Sequence, residues 1–442
     1  MPVAPIPAHE LLIFLLQVGL LLLLASSFGR LATRLGMPAV VGELSVGVLL
    51  GPSVLAHLAP ALSTWLFPPH VEQFHLLDAV GQIGVLLLVG ITGIHMDMGM
   101  VRRRGVAAAG ISVGGLVVPL GSGIAVGLAL SGSLMPADTD PVVFALFMGV
   151  AMCVSAIPVI AKILMDMRMV HRNIGQLVLT AGMVDDAIGW VLLSIVSALA
   201  TTGLHTGNVV TSVASLFAVV AVALTVGRPL ARAGFRLAAR SQDSGPTVAM
   251  ATTMILLGAI ATHALGLEAV FGAFVCGILI GSAIGPGNAR LASLRTVVLS
   301  VLAPIFFATA GLRMDLTALS SPDVLVAGLL ILAVAILGKF AGAYLGARIS
   351  RLNHWEGLAL GAGLNARGVI EVIVAMVGLR LGILSVQAYT IVVLVAIVTS
   401  LMAPPILRLT MARIEQTAEE ELRENSYLPD AAPAHAPTRA RP

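Results

Sequence analysis

Long runs of apolar residues alternate along the chain with short polar connections. A helix needs roughly 20 apolar residues to cross about 30 Å of hydrocarbon. Runs of that length predict thirteen transmembrane helices, at about 9–29, 38–56, 76–96, 106–131, 140–164, 174–201, 207–230, 246–264, 267–284, 294–312, 323–347, 355–379 and 385–409. The runs are apolar throughout instead of alternating, which excludes a β-barrel. The expected fold is an all-α polytopic membrane protein. The second, ninth and tenth runs are the weakest, because they are short or interrupted by Gly and Pro.

Charge tests that count independently. Alternate connections carry Arg30 and Arg34; Arg102, Arg103 and Arg104; Lys162, Arg168 and Arg172; Arg228, Arg232, Arg236 and Arg240; Arg290 and Arg295; and Arg348 and Arg351. Together with the C-terminal segment they hold 21 of the 25 Lys and Arg residues, whereas the intervening connections hold only Arg313 and Arg380. By the positive-inside rule the N-terminus lies outside and the C-terminus in the cytoplasm, in the cell membrane. The first run lacks a basic n-region and a small-residue cleavage site, so it reads as a helix and not a removed signal peptide. Residues 1–412 are the membrane domain. Residues 413–442, acidic and then rich in Pro and Ala, are expected to form a short disordered cytosolic tail.

Composition narrows the function. Of 442 residues 58% are hydrophobic and 11% charged, with a mean hydropathy of +1.01, against about a quarter charged in soluble domains. That excludes a soluble enzyme and a nucleic-acid partner; the surrounding lipid is the bulk partner. Cys153 and Cys276 are the only cysteines, so there is no disulfide framework and no Cys cluster for a metal. No G-x-x-x-x-G-K-[ST] segment occurs, so ATP does not drive the protein.

Ionisable groups inside a membrane are costly and mark function. Asp185 and Asp186 are adjacent near the middle of the sixth span. Two neighbouring carboxylates in a low-dielectric setting repel, so such a pair suits the exchange of a proton for a monovalent cation. Lys339 lies mid-span in the eleventh run. It has to find a counter-charge, lose its proton or snorkel; a buried pair with Asp185 is the economical arrangement. Ser155 and Pro158 fall in the middle of the fifth span, where proline frees an upstream carbonyl. Gly361, Gly363, Asn365, Arg367, Gly368 and Glu371 crowd the twelfth, with Arg367 and Glu371 one turn apart. Broken helices at membrane depth line cavities and hold ions at their half-helix ends. The two breaks are seven spans apart, and an odd offset reverses orientation. Spans 1–6 and 8–13 therefore read as two inverted six-helix repeats joined by span 7, with the site at their interface. Elsewhere, Glu43 lines a funnel or marks a helix start, Arg313 and Asp315 close the tenth span, and Glu268 opens the ninth as an N-terminal charge.

The segments MPAVVGELSVGVLLGPSVL (37–55), AVGQIGVLLLVGITGIHMDM (79–98), VSAIPVIAKIL (154–164), DDAIGWVLLSIV (185–196), GAFVCGILIG (272–281), LAPIFFATAGLRMDL (302–316) and LNARGVIEVIV (364–374) occur in one order. In that order they resemble the monovalent cation:proton antiporter superfamily, specifically the second branch with the potassium-efflux and plant cation/proton exchanger types. The resemblance implies that Asp186 is the ion-binding aspartate and that Asp185 is the preceding acid paired with Lys339. It implies that Ser155, Pro158, Asn365, Arg367 and Glu371 line the broken helices, and that an alkali cation is held at Asp185 and Asp186. It further implies a homodimer, with a scaffold part at about 9–96 and 246–312 and a core part at about 106–201 and 323–409 that moves as an elevator. The linker helix is at about 207–230. Cys153-Val154-Ser155-Ala156 departs from the Ser/Thr-rich first break common in the family, and His95 stands where an acid is usual. The expected activity is exchange of sodium or potassium for protons, with no cofactor beyond the transported ions. A gated potassium-efflux channel, regulated by a separate cytosolic subunit, and a proton-coupled exporter of an organic compound are the alternatives. A large apolar cavity beside the aspartates would favour the exporter.

Overall fold

A computed structural model of the chain describes all residues except 1–5, 69–70, 97–104, 203–205, 286–287 and 422–442. The principal helices are α1 (Ala8–Arg34), α2 (Ala39–Leu50), α3 (Val71–Ile94), α4 (Gly105–Leu134), α5 (Pro141–Cys153), α6 (Ile157–Asp166), α7 (Asn173–Thr202), α8 (Thr206–Val222) and α9 (Arg228–Ala238). They continue with α10 (Gly245–Ala264), α11 (Ala269–Ile284), α12 (Ala303–Gly311), α13 (Pro322–Ile349), α14 (His354–Leu364), α15 (Val369–Arg380) and α16 (Val386–Met411). Among the described residues ten helical segments are long and apolar enough to cross a membrane, or eleven with the bent pair α14–α15 taken as one. By length alone the expected count of thirteen is not confirmed. The expected fifth span is divided between α5 and α6, and the expected ninth is α11, of 16 residues. The expected linker at 207–230 is longer, running from α8 through a π-helical turn at Ala223–Gly227 into α9.

The inverted repeat is written into the backbone. Residues 35–51, LGMPAVVGELSVGVLLG, align without a gap on residues 265–281, LGLEAVFGAFVCGILIG. Gly36 and Gly266 both have positive φ, at 77° and 72°. Each ends a helix with the same closing bond, Met37 N–H to the Ala32 carbonyl and Leu267 N–H to that of Thr262. A Cβ at Gly42 would sit 2.2 Å from the Phe28 carbonyl oxygen, and one at Gly272 would sit 2.1 Å from that of Gly258. The α1–α2 contact is thus repeated as α10–α11. Likewise α2 packs on α12 and α11 on α3, the swap an inverted repeat requires. At the centre α4 and α13 touch backbone to backbone: a Cβ on Gly342 would lie 2.2 Å from the Gly114 carbonyl oxygen, and one on Gly114 would lie 2.4 Å from that of Gly342. Small residues that let helix backbones meet replace the hydrophobic drive that lipid does not supply.

One cluster of helices comprises α1–α3 and α10–α12; α4–α7 and α13–α16 pack as another. The broken helices lie in the second. The first break is Val154-Ser155-Ala156, between α5 and α6, and the second runs from Asn365 to Gly368, between α14 and α15 with a 48° bend. Pro158 does not make the first break, contrary to the expectation. It is in the first turn of α6, where its missing N–H has no intrahelical partner to lose.

The tail departs from expectation over its first residues. Glu420 caps α7, accepting from the Asn173 N–H, and pairs with Arg172 at 3.3 Å. Burial raises its pKa, yet the Thr417 and Asn173 N–H groups and Arg172 outweigh that and hold it below its ordinary value. The expected tail beyond Glu421 lies outside the described residues.

Two predictions follow from this packing. Gly342→Ala should lower stability by about 3 kcal/mol through backbone overlap, whereas Gly121→Ala on the same bundle, with nothing within 4 Å of its Cβ, should be neutral or stabilising by about 1 kcal/mol. Thermal unfolding in detergent distinguishes them. Because the Glu420 pKa is depressed on folding, its contribution is complete above the ordinary value of 4.5 and lost as pH falls through the lower folded value. Hydrogen exchange at residues 417–421 should therefore accelerate only below about pH 4.5, and Glu420→Gln should show fast exchange at neutral pH.

Candidate functional site

The site lies where the two breaks cross. The Ala156 N–H donates to the Ala366 carbonyl at 3.2 Å, joining the extended segments. Helix α7 lies against the first break, with Gly189 beside Val154 and Gly182 beside Ile157 and Ile160. Those small residues let the turn between them, which carries Asp185 and Asp186, reach the crossing. Both aspartates are fully buried.

Asp185 is saturated. Its Oδ1 accepts from Ser112 Oγ at 2.7 Å, and its Oδ2 accepts from Lys339 Nζ at 2.8 Å. Ser155 Oγ lies 3.0 Å from Asp185 Oδ2 and 2.9 Å from the Leu364 carbonyl oxygen, and its one proton serves either. Lys339 is fully buried and uses all three donors: Asp185, the Gly115 carbonyl at 2.9 Å and the Cys153 carbonyl at 2.6 Å. Of the arrangements open to a mid-span lysine, the pair with Asp185 is the one found, and snorkelling is not.

Arg367 plays a parallel part. Its guanidinium donates to the Ala151, Met152 and Ala335 carbonyls at 3.3, 2.7 and 3.2 Å and to Glu371 Oε1 at 3.1 Å. Lys339 and Arg367 thus cover the last carbonyls of α5, the negative end of a helix stopped inside the membrane. At the second break Ser400 Oγ donates to the Arg367 carbonyl.

These pairs leave a remainder. Glu371 is matched by Arg367 and Asp185 by Lys339, but neither carboxylate oxygen of Asp186 has a side-chain partner among the described residues, and only the Ile157 N–H at the start of α6 is turned toward it. The amide of Asn365, also fully buried, has both Oδ1 and Nδ2 unpartnered. Burying such groups without partners costs several kcal/mol, so the site is built for something that completes them.

A cavity of about 500 Å³ ends short of this point, against residues next to it. Ile157 and Val369, the first residues of α6 and α15, line it with Met183, one turn before Asp186. Both half-helix N-termini, each carrying partial positive charge, border the approach. Glu43 is in its wall, resolving its two readings in favour of the funnel. Glu268 caps α11 as expected but also pairs with Arg380, and Arg313 pairs with Asp78 while Asp315 caps the turn after α12. Sequence reasoning missed Ser112, whose only signal is a hydroxyl about two turns into an apolar span.

The crossed breaks, the buried ion pairs and the approach cavity define a multi-pass helical membrane protein with an ionisable site between inverted repeats. More particularly, the chain belongs to the family described as sodium/hydrogen exchanger, transmembrane, which matches residues 19–413. It is 32% identical to the Na(+)/H(+) antiporter NhaS4 of Synechocystis over 403 residues, covering 90% of this chain and 97% of that protein. It is 30% identical to Cation/H(+) antiporter 15 of Arabidopsis thaliana over 419 residues, covering 93% of this chain and 50% of that protein. The chain therefore spans about half the length of the plant relatives it matches. Among solved structures, the sodium proton antiporter MjNhaP1 from Methanocaldococcus jannaschii aligns over 91% of this chain and 99% of its own, with a TM-score of 0.70 at 18% identity, a likeness of fold.

Breaking the buried pair from one side should cost about 3–5 kcal/mol, because an uncompensated charge remains, whereas removing both charges should recover much of that loss. Lys339→Gln, Asp185→Asn and the double variant form the test. Their melting temperatures in detergent should give a coupling energy well above about 0.5 kcal/mol, the level of independent sites.

Proposed function

We propose that the protein is a secondary active antiporter that exchanges a monovalent cation, sodium or potassium, for protons by alternating access. One observation carries this reading: of the buried carboxylates at the crossing, Asp186 alone has no ion-pair partner among the described residues. A proton or a small cation balances it equally well, and the two compete for the same oxygens. Asn365, with its unpartnered amide oxygen at the second break, is a candidate neutral ligand to the cation, and Ser155 supplies a hydroxyl where its neighbours supply none. Relatives named as Na(+)/H(+), K(+)/H(+) and Na(+)/H(+)-K(+) antiporters support the substrate class and leave both cations open.

In this reading the cluster of α4–α7 and α13–α16 is the moving core, and α1–α3 with α10–α12 is the scaffold and homodimer part. Sliding the core would carry Asp186 from one face to the other, as in an elevator. The cavity is walled by Lys162 and Arg295 from connections assigned to the cytoplasm, so the conformation faces inward, with the N-terminus outside and the C-terminus inside.

A second reading, proton-coupled export of an organic cation, is favoured by the same cavity. At about 500 Å³, with Leu88, Ile91, Met165, Met183 and Phe307 in its wall, it is large and mainly apolar for an alkali ion.

Reconstituted vesicles with an internal pH-sensitive dye test both. Sodium or potassium should drive proton movement across the sealed membrane, and Asp186→Asn should abolish it while the protein stays folded with an equal or higher melting temperature, because a buried charge is removed. Wild-type rates in that variant would overturn the assignment. Proton movement driven by an organic ammonium ion and not by alkali ions would select the second reading. Apparent alkali-cation affinity should fall as pH is lowered, since proton and cation share one site.

A further inference from the structure

Glu43 is a buried carboxylate that the exchange site does not use. It is on α2, one turn in from the start of the helix, 8% exposed. Its carboxyl end packs over Gly29 of α1, where a Cβ would lie 3.2 Å from Oε1 and 3.3 Å from Cγ. Among the described residues it has no hydrogen-bond or ion-pair partner. Such a group carries the desolvation cost of a buried charge with nothing in the protein to offset it.

Its surroundings give that cost a purpose. The ionisable side chains that face the cavity are Glu43 from α2, His95 from the end of α3, Lys162 from α6 and Arg295 from the segment before α12. Glu43 is the only acid among the described residues of the wall. Without it the described residues of the wall would hold no acid, and the approach is bounded at its inner end by the positive ends of α6 and α15. A monovalent cation leaving water for a wall of Leu88, Met165 and Phe307 needs one negative charge on the way.

We propose that Glu43 is an outer station for the transported monovalent cation, holding it in the cavity before it reaches Asp186 and taking a proton when the cation is absent. This rests on the exchange reading for the direction of traffic but not for the binding itself. The alternating occupancy follows from the same shortage of partners that marks Asp186. The repeat supports a function over a packing role, because the position equivalent to Glu43 in residues 265–281 is Ala273. The same close helix contact forms there without a carboxylate.

Binding and transport are tested separately. In detergent, the Asp186→Asn variant keeps the Asp185–Lys339 pair and should still bind sodium or potassium, followed by line broadening of the alkali nucleus in NMR. Adding Glu43→Gln should remove that signal. No residual binding in Asp186→Asn, or binding unchanged by Glu43→Gln, would overturn the proposal whether or not the protein exchanges ions. In oriented vesicles, Glu43→Gln in the otherwise wild-type chain should raise the apparent KM for the cation about tenfold on the cavity side with little change in maximal rate, the pattern of lost uniform binding. KM on the opposite side should be unchanged, and Glu43→Asp should recover part of the effect. Equal changes on both sides together with a lower melting temperature would mark Glu43 as a packing residue and overturn the proposal. A wild-type protein with no cation-driven proton movement would sink the exchange reading while leaving the binding arm to decide on Glu43.

Discussion

Stopping a helix inside a membrane leaves carbonyls with no N–H to meet them and no water to replace it. The architecture around the crossing answers that constraint. Lys339 and Arg367 cover the end of α5 at Cys153, Met152 and Ala151, and Ser155 reaches the end of α14 at Leu364. Introducing two cations for this purpose creates a second demand, met by Asp185 and Glu371. Asp186 is then the carboxylate left over, without an ion-pair partner among the described residues.

The duplication that built the molecule explains why this is possible at its centre. Inverted repeats place two unwound segments opposite one another, and glycine-lined contacts such as Gly114 on Gly342 hold them together without large side chains. The repeats have nevertheless diverged in chemistry. Helix α7 brings two aspartates to its break, whereas α16 brings the Ser400 hydroxyl to the second. The cation that neutralises Asp185 comes from α13, in the other repeat. Stability and ion handling thus depend on the same contact between halves, so substitutions at the pair act on both.

The two sides of the protein are unequal. Residues Glu43, His95, Lys162 and Arg295 surround an open cavity. At the opposite ends of the helices, Arg380 joins Glu268 and Gln82, and Arg313 joins Asp78. The first of these contacts ties α15 to α11 and α3, between the two helical clusters.

The sequence by itself determined the all-helical membrane class, the repeat with its odd offset, and which ionisable residues lie buried within the spans. Hydrocarbon enforces these locally: a run is apolar enough or it is not, and a charge within it stands out. It also located Lys339 opposite Asp185, because a lone buried lysine has few ways to persist. The tertiary structure alone decided how many helices are long enough to span and where the first break falls, since Pro158 is equally compatible with interrupting a helix and starting one. It also decided the Ser112 contact, the carbonyls chosen by Arg367 and the exposure of Glu43 to a cavity. Each of those depends on the distance between segments far apart in the chain, and no local pattern of residues encodes that distance.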